Sequence, residues 1–303
     1  MGIQTATAND HRLRDERSSQ TSGRYGLGNG HVAFRCWASA HIPGLKFVET
    51  SEHDLAYGPH LHDFMEIIWV RHGTCEIISH DSRCAMRRGD MAIILPNEVH
   101  AGGGCGKPFR FTTLHIPRDL LIALFGANYK QEHCSLQKAP VLLLDGNAAE
   151  SLYRDLVDTL PNTLSLGDQL TCLQNVLGRL FQTRKAAALP GISLVDRHPA
   201  VMQVLSVINR EFMEPIDFRR LAAEVNLHQH YLISLFKAIT GIPPHQYQIA
   251  LRVELGRSLL DSDQPLSRVA CMAGFADQSH FNRHFKRVYG LTPGMFREHT
   301  VPI

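Results

Sequence analysis

The stretch LAAEVNLHQHYLISLFKAITGIPP (221–244) is answered further on by RVACMAGFADQSHFNRHFKRVYGLTPGMFR (268–297). Within them, Leu232-x3-Phe236-Lys237-x3-Gly241-x2-Pro244 recurs as Phe281-x3-Phe285-Lys286-x3-Gly290-x2-Pro293, 49 residues later. Each copy is preceded by a short helical segment with a small residue and then a turn: Ala222 and Asn226 in the first, Ala270 and Gly274 in the second. Alanine lets two helices cross closely, and Asn or Gly tolerates the left-handed backbone of a tight turn. Gly241 and Gly290 then end the second helix of each copy, with proline following. The pattern predicts two helix–turn–helix units at about 218–239 and 266–288, joined by a helix at about 244–261. At 1.5 Å per residue that connector is roughly 25–27 Å long, enough to hold two recognition helices about one DNA turn (~34 Å) apart.

Residues 216–297 resemble the C-terminal domain of the AraC/XylS family of bacterial transcription regulators, and the second stretch follows the family signature along its whole length. The resemblance implies a sequence-specific DNA-binding regulator of promoter half-sites, working with RNA polymerase, and activation is the commoner family habit. The first copy departs from the family in three places. His228 stands where Ser usually caps the first recognition helix and is a poorer cap; Ser234 stands where Arg is common; Gly256 replaces the usual Ala and predicts a less rigid connector.

On the first recognition helix the solvent-side positions are His230, Ile233, Ser234 and Lys237; on the second they are Gln278, Ser279, Asn282, Arg283, Lys286 and Arg287. Arg is suited to guanine, and Asn or Gln to adenine. Arg283, Asn282 and Gln278 are therefore the leading base readers, while Lys237, Lys286 and Arg287 suit phosphate. Each of these, taken singly, can also be read as a solvated surface group. Residues 197–303 carry 12 Lys and Arg against 9 Asp and Glu, whereas the remainder carries 19 against 20. That asymmetry permits a polyanionic partner for the C-terminal third without proving one.

Upstream the texture changes. Residues 1–30 read as a polar, disordered leader. From 31 to 118 short apolar runs (Glu66–Val70, Cys75–Ile78, Met91–Leu95, Phe109–His115) are broken by Gly, Asp, Pro and Asn, which predicts a small antiparallel barrel. Segment 119–185 is helical, with Leu152, Leu156, Val157 and Leu160, then Leu170, Leu173, Val176, Leu177, Leu180 and Phe181, at helical spacing. Such a stripe marks burial, either against the barrel or against a second copy in a homodimer. Residues 186–199 read as a linker, and 200–303 as the DNA-binding domain. The fold class is thus α+β: an N-terminal antiparallel β-barrel followed by helices, then an all-α double helix-turn-helix domain.

Within the barrel segment, His60-x-His62-x3-Glu66-x6-Gly73 is followed by Gly89-Asp90-x5-Pro96-x3-His100. His60 and His62 share one side of a strand, so with Glu66 and His100 they are candidate ligands for a divalent metal. Residues 45–116 resemble the cupin barrel, although Glu98 stands where cupins carry Gly. Three readings remain open: a metal, an organic effector such as a sugar or other metabolite hydrogen-bonded by the same cluster, or a purely structural cluster. The whole chain reads as a cytoplasmic regulator and not an enzyme; the alternative is a cupin metalloenzyme fused to a DNA-binding domain. Its 303 residues contain no apolar run of about 18 to cross a membrane, and its seven scattered cysteines suit a reducing compartment. No Ser/His/Asp order, phosphate loop or nucleotide fingerprint is present.

Overall fold

The computed structural model describes residues 20–27, 30–39, 41–53, 56–79, 82–104, 109–126, 141–144, 146–157, 160, 165–186, 198–289 and 292–300. Eleven strands form two antiparallel sheets among the described residues. The larger sheet runs β1 (Gln20–Leu27), β2 (Gly30–Ala38), β3 (Lys46–His53), β10 (Phe109–Pro117), β5 (Phe64–His72), β8 (Met91–Ile94) and β11 (Val141–Leu144). The smaller runs β4 (Ala56–His60), β9 (His100–Gly104), β6 (Thr74–Ser79) and β7 (Ser82–Arg87).

Strand β5 shows how sequence positions the site. Side chains alternate across a strand, so Met65, Ile67 and Trp69 enter one buried cluster while Val70 and the half-buried Ile68 enter another. The first cluster lies under the helix over residues 118–126 (α1), α2 (Gly146–Val157) and α3 (Leu166–Ala186). The second joins Cys75, Ile77 and Met86 of the smaller sheet to Val70, Ala92, Ile94 and Phe109 of the larger one. Glu66 stands between these inward positions and is directly opposite His115 on β10.

Two organisational expectations change, and of the two readings of the apolar stripe one is favoured. Within the expected leader of residues 1–30, Gln20–Leu27 is a strand that pairs in register with β2; residues 1–19 lie outside the described residues. Its Ser- and Gly-bearing sequence hid a strand whose partner, not its propensity, holds it in place. The strand region also extends past 118, since Val141–Leu144 pairs with β8 inside the segment expected to be helical. Finally, Leu152, Leu156, Leu160, Leu173, Val176, Leu177 and Leu180 pack into the chain's own core, so the apolar stripe covers the sheet. Of the expected linker, residues 187–197 lie outside the described residues, while Ala186 ends α3 and Pro199 begins α4.

The C-terminal part is helical: α4 (Pro199–Glu211), α5 (Phe218–Glu224), α6 (Gln229–Thr240), α7 (Pro244–Ser258), α8 (Leu266–Met272), α9 (Gln278–Tyr289) and α10 (Pro293–Thr300). The internal repeat is visible atom by atom. Asn226 and Gly274 both have left-handed backbone, with φ of 56° and 80°. In each copy a backbone N–H just past the turn donates to the buried alanine: Leu227 to Ala222 at 2.9 Å and Phe275 to Ala270 at 3.0 Å. Gly241 closes α6 at φ 85°, donating to Lys237; Gly290 lies outside the described residues. The connector α7 has 15 residues, about 22 Å of helix, and a short 3-10 turn, Leu259–Asp261, completes it.

Candidate DNA interface and histidine cluster

Helix α6 buries Leu232 and Phe236, and α9 buries Phe281, Phe285 and Val288. At 100° per residue, the faces opposite are set by His230, Ser234 and Lys237 on α6 and by Ser279, Arg283 and Lys286 on α9, all exposed, as is Arg287. Ile233, Gln278 and Asn282 are only partly exposed, at the margins of those faces. The buried Oδ1 of Asn282 has no hydrogen-bond partner. Tyr231, 55% exposed on α6, is a solvent-facing aromatic that the pattern of charged and amide residues does not single out. The two helix starts differ. His228 makes no side-chain capping bond to α6, whereas the Asp277 carboxylate accepts the His280 N–H at 2.7 Å before α9.

The histidines gather between the sheets. His60 and His100 are paired across β4 and β9, with ring centroids 4.1 Å apart. His62 follows the end of β4, so it reaches the same place from the connection to β5 and not by strand alternation. One ring nitrogen from each of His60, His62 and His100 lies within 4.8 Å of the others. Glu66, expected as a fourth member, stands beside this trio: its Oε2 is 3.4 Å from His62 Nε2 and 3.6 Å from His100 Nε2. Its Oε1 is 3.4 Å from Nε2 of His115, a residue outside the sequence motif. Glu98, in place of the cupin glycine, has a role of its own: its carboxylate accepts the Leu95 N–H and its carbonyl faces His100 Nδ1.

Burial, then the neighbouring His100 and His62, holds His60 well below the ordinary histidine range. Burial likewise lowers His100, and takes His115 down to about 4 despite its contact with Glu66. Burial pushes the Glu66 carboxyl up, but His100, His115 and His62 together hold it well below the usual carboxylate range.

This cluster is also the border between the two halves of the chain. Leu61 and Val99 belong to the buried cluster that contains Val204 of α4 and Leu232 and Phe236 of α6, in the first helix-turn-helix unit. The His60 ring is 6.1 Å from that of Tyr289 on α9, and the Arg257 guanidinium lies over Phe64 at 5.1 Å. Arg257 grips Glu254 through both carboxylate oxygens, and the Tyr289 hydroxyl donates to the same carboxylate at 2.8 Å. Burial raises the Glu254 carboxyl, but Arg257 outweighs it and holds the group below its usual range.

Residues 221–299 match the family model for a helix-turn-helix domain, and residues 43–189 match that for the AraC-like ligand binding domain. The chain belongs to the AraC family of transcription regulators. Among AraC-family relatives, the probable transcriptional regulator LumQ of Photobacterium leiognathi is 27% identical over 82% of this chain and 95% of its own. The transcriptional activator RhaS of Escherichia fergusonii is 25% identical over 80% and 88%. The solved structure of ToxT from Vibrio cholerae shares the fold, with a TM-score of 0.57 at 12% identity over 84% of this chain and 98% of that one. Another ToxT structure is described as bound to an unsaturated fatty acid, at a TM-score of 0.55 and 14% identity over 84% of this chain and 95% of that one. This AraC-family chain is a DNA-binding transcription regulator that couples a ligand-binding N-terminal part to paired helix-turn-helix units. None of its described helices is long and apolar enough to cross a membrane.

Proposed function

We propose that this regulator reads two neighbouring stretches of promoter DNA with α6 and α9, under the control of a small effector bound at the histidine cluster. The observation that carries the reading is the matched pair of faces: each helix buries its aromatic side and presents a polar or cationic one. Arg283, with Asn282 and Gln278, reads bases; His230, Ile233, Ser234 and Ser279 line the contact; Lys237, Lys286 and Arg287 meet phosphate. The chain acts in the cytoplasm as a homodimer on paired half-sites and activates transcription through RNA polymerase. Since the apolar stripes of α2 and α3 are buried against the chain's own sheet, the dimer uses other surfaces. The enzyme alternative keeps its support in the donor set of His60, His62, Glu66 and His100, but the relatives act on transcription, which favours a sensor over a catalyst at this site.

Selection of bound duplexes from a random-sequence pool tests the reading. The expected product is a bipartite site with two information-rich blocks about one helical turn apart. Absence of any enriched sequence at moderate salt overturns it.

A further inference from the structure

One buried cluster holds Leu232 and Phe236 of the first reading helix, and another holds Phe281 and Phe285 of the second. Helix α7 serves both: Tyr247 and Ala250 enter the first, Ile249 and Val253 the second. Apolar contact is non-directional, so a shared helix does not by itself fix the angle of the second unit about it. A polar brace crosses the same border. Helix α4, whose Val201, Val204 and Ile208 belong to the first cluster, ends at Glu211, and the carbonyls at a helix end lack intrahelical partners. Two side chains of α7, one turn apart, collect three consecutive carbonyls just beyond that end. Gln248 Nε2 donates to Phe212 at 3.0 Å and to Glu214 at 2.7 Å. Arg252 donates from Nε to Phe212 at 2.6 Å, and from Nη2 to Met213 at 3.2 Å and Glu214 at 3.0 Å.

The held segment is seated on the tight turn of the second unit. A methyl group at Gly274 would lie 2.7 Å from the Met213 carbonyl oxygen, 3.0 Å from Met213 Cα and 3.1 Å from Arg252 Nε. Gly274, with its left-handed backbone, is the turn that leads into α9. The brace therefore runs from the end of α4, through two side chains of the connector, to the start of the second reading helix. Met213 and Glu214 are exposed, Met213 at 48%. Water can satisfy exposed carbonyls at a helix end, so satisfying them does not require buried Gln248 and the Arg252 fork. What these side chains add is a fixed seat: a planar guanidinium holds its acceptors in one geometry, which water does not.

We propose that Gln248 and Arg252 are positioning residues: through residues 212–214 they fix the spacing and angle of α9 against α6, and so determine which separation of two DNA blocks this regulator accepts. The consequence on DNA rests on the reading of promoter DNA by α6 and α9; the mechanical coupling of the two units does not. Moving one block by one base pair shifts it about 3.4 Å along the duplex and about 34–36° around it. A braced pair of helices cannot follow such a shift, whereas a pair joined by α7 alone can adjust to it.

The bipartite duplex obtained by selection is compared with duplexes whose blocks lie one base pair closer or further apart, using the full-length wild type and Gln248→Met/Arg252→Met. The wild type is expected to bind the displaced duplexes about tenfold more weakly, the loss of one good base contact. In the variant that ratio is expected to collapse toward one. Lower stability alone weakens binding to all three duplexes alike and leaves the ratio where it was. Amide exchange without DNA reads the coupling by itself. The double variant is expected to speed exchange at Gly274 and Phe275 by about tenfold, with Asn226 and Leu227 in the turn of the first unit unchanged. If the double variant does not fold, Arg252→Met alone takes its place, since it removes three of the five bonds. An unchanged spacing ratio in the variant overturns the role in choosing DNA. Faster exchange confined to residues 212–216 makes the bonds a local cap and overturns the coupling. Faster exchange at Gly274 and Phe275 in a chain that selects no DNA upholds the coupling and removes the promoter reading instead.

Discussion

The ring of Phe281 fills the space that a side chain at residue 256 would need: a Cβ built on Gly256 would stand 2.4 Å from Phe281 Cε2 and 2.7 Å from Cζ. The connector and the second reading helix therefore touch where α7 has no side chain. Alanine would raise the helix propensity of α7 by up to about 1 kcal/mol. Displacing a fully buried phenylalanine costs about 1–3 kcal/mol, so the clash wins. Gly256→Ala is expected to lower stability by that margin in denaturant unfolding, and Gly256→Ala/Phe281→Leu is expected to regain part of it. A single variant more stable than wild type would show that the ring moves aside freely.

That contact also marks the reach of the sequence. The two reading units were legible because a helix–turn–helix is local: Ala222, Asn226, Leu232 and Phe236 lie within one stretch, and their second set repeats the spacing. Gly256 looked like a weak point in a helix because propensity describes the helix alone, and Phe281 comes from 25 residues away. The histidines were legible by spacing, but His115 was not, since only the pairing of β5 with β10 brings it opposite Glu66. Nor could spacing show that Leu61 and Val99, among the cluster's own residues, face the first reading unit. Strand β1 escaped because its register with β2 is a long-range property.

Arg283 and Lys286 occupy the same exposed face of α9 yet should behave differently. Arg283→Ala is expected to cost about 1–3 kcal/mol in binding to the selected site and to relax specificity at one base pair. Lys286→Ala should weaken binding evenly across sequences and reduce the salt dependence by about one unit of slope. Fluorescence-polarisation titrations at several salt concentrations distinguish them. Equal loss on specific and random duplexes for Arg283→Ala would make it a phosphate contact.

The first reading helix begins without a side-chain cap at His228. Serine at that position can accept an amide of the first turn, and such caps contribute about 0.5–2 kcal/mol. His228→Ser should therefore stabilise the chain by a fraction of that range, because histidine already has the extended backbone of a cap. Asp277→Ala should destabilise by about 1 kcal/mol, since it removes the bond to the His280 amide. Opposite signs for the two variants in urea unfolding are the expected result; matching signs would refute the capping argument.

The Glu254 side chain is 8% exposed and that of Arg257 11%, and Tyr289 completes their network at the border of the two halves. Glu254→Ala leaves a buried guanidinium without its partner, a change that costs about 3–5 kcal/mol. Replacing the whole set, as Glu254→Met/Arg257→Met/Tyr289→Phe, removes every group that would be left unsatisfied and should cost less than the single variant. Thermal unfolding of both proteins decides it: a triple variant the less stable of the two would mean that the charges hold the border together.

His284 on α9 gives the pH dependence a sign. Burial first, then His280, Arg283 and Arg287, lowers its folded pKa to about 4 from an ordinary 6.5. Between those values the unfolded chain takes up a proton that the folded chain refuses. This residue's contribution is therefore intact above pH 6.5 and falls as pH drops toward 4, flattening below. Its half-exposed position screens the effect to about 1 kcal/mol. Carboxylates elsewhere add a slope of their own, so the informative quantity is the difference between wild type and His284→Gln. Urea unfolding at pH 7 and pH 5 should show a smaller loss in the variant, and equal losses would place the His284 ring in ordinary contact with water.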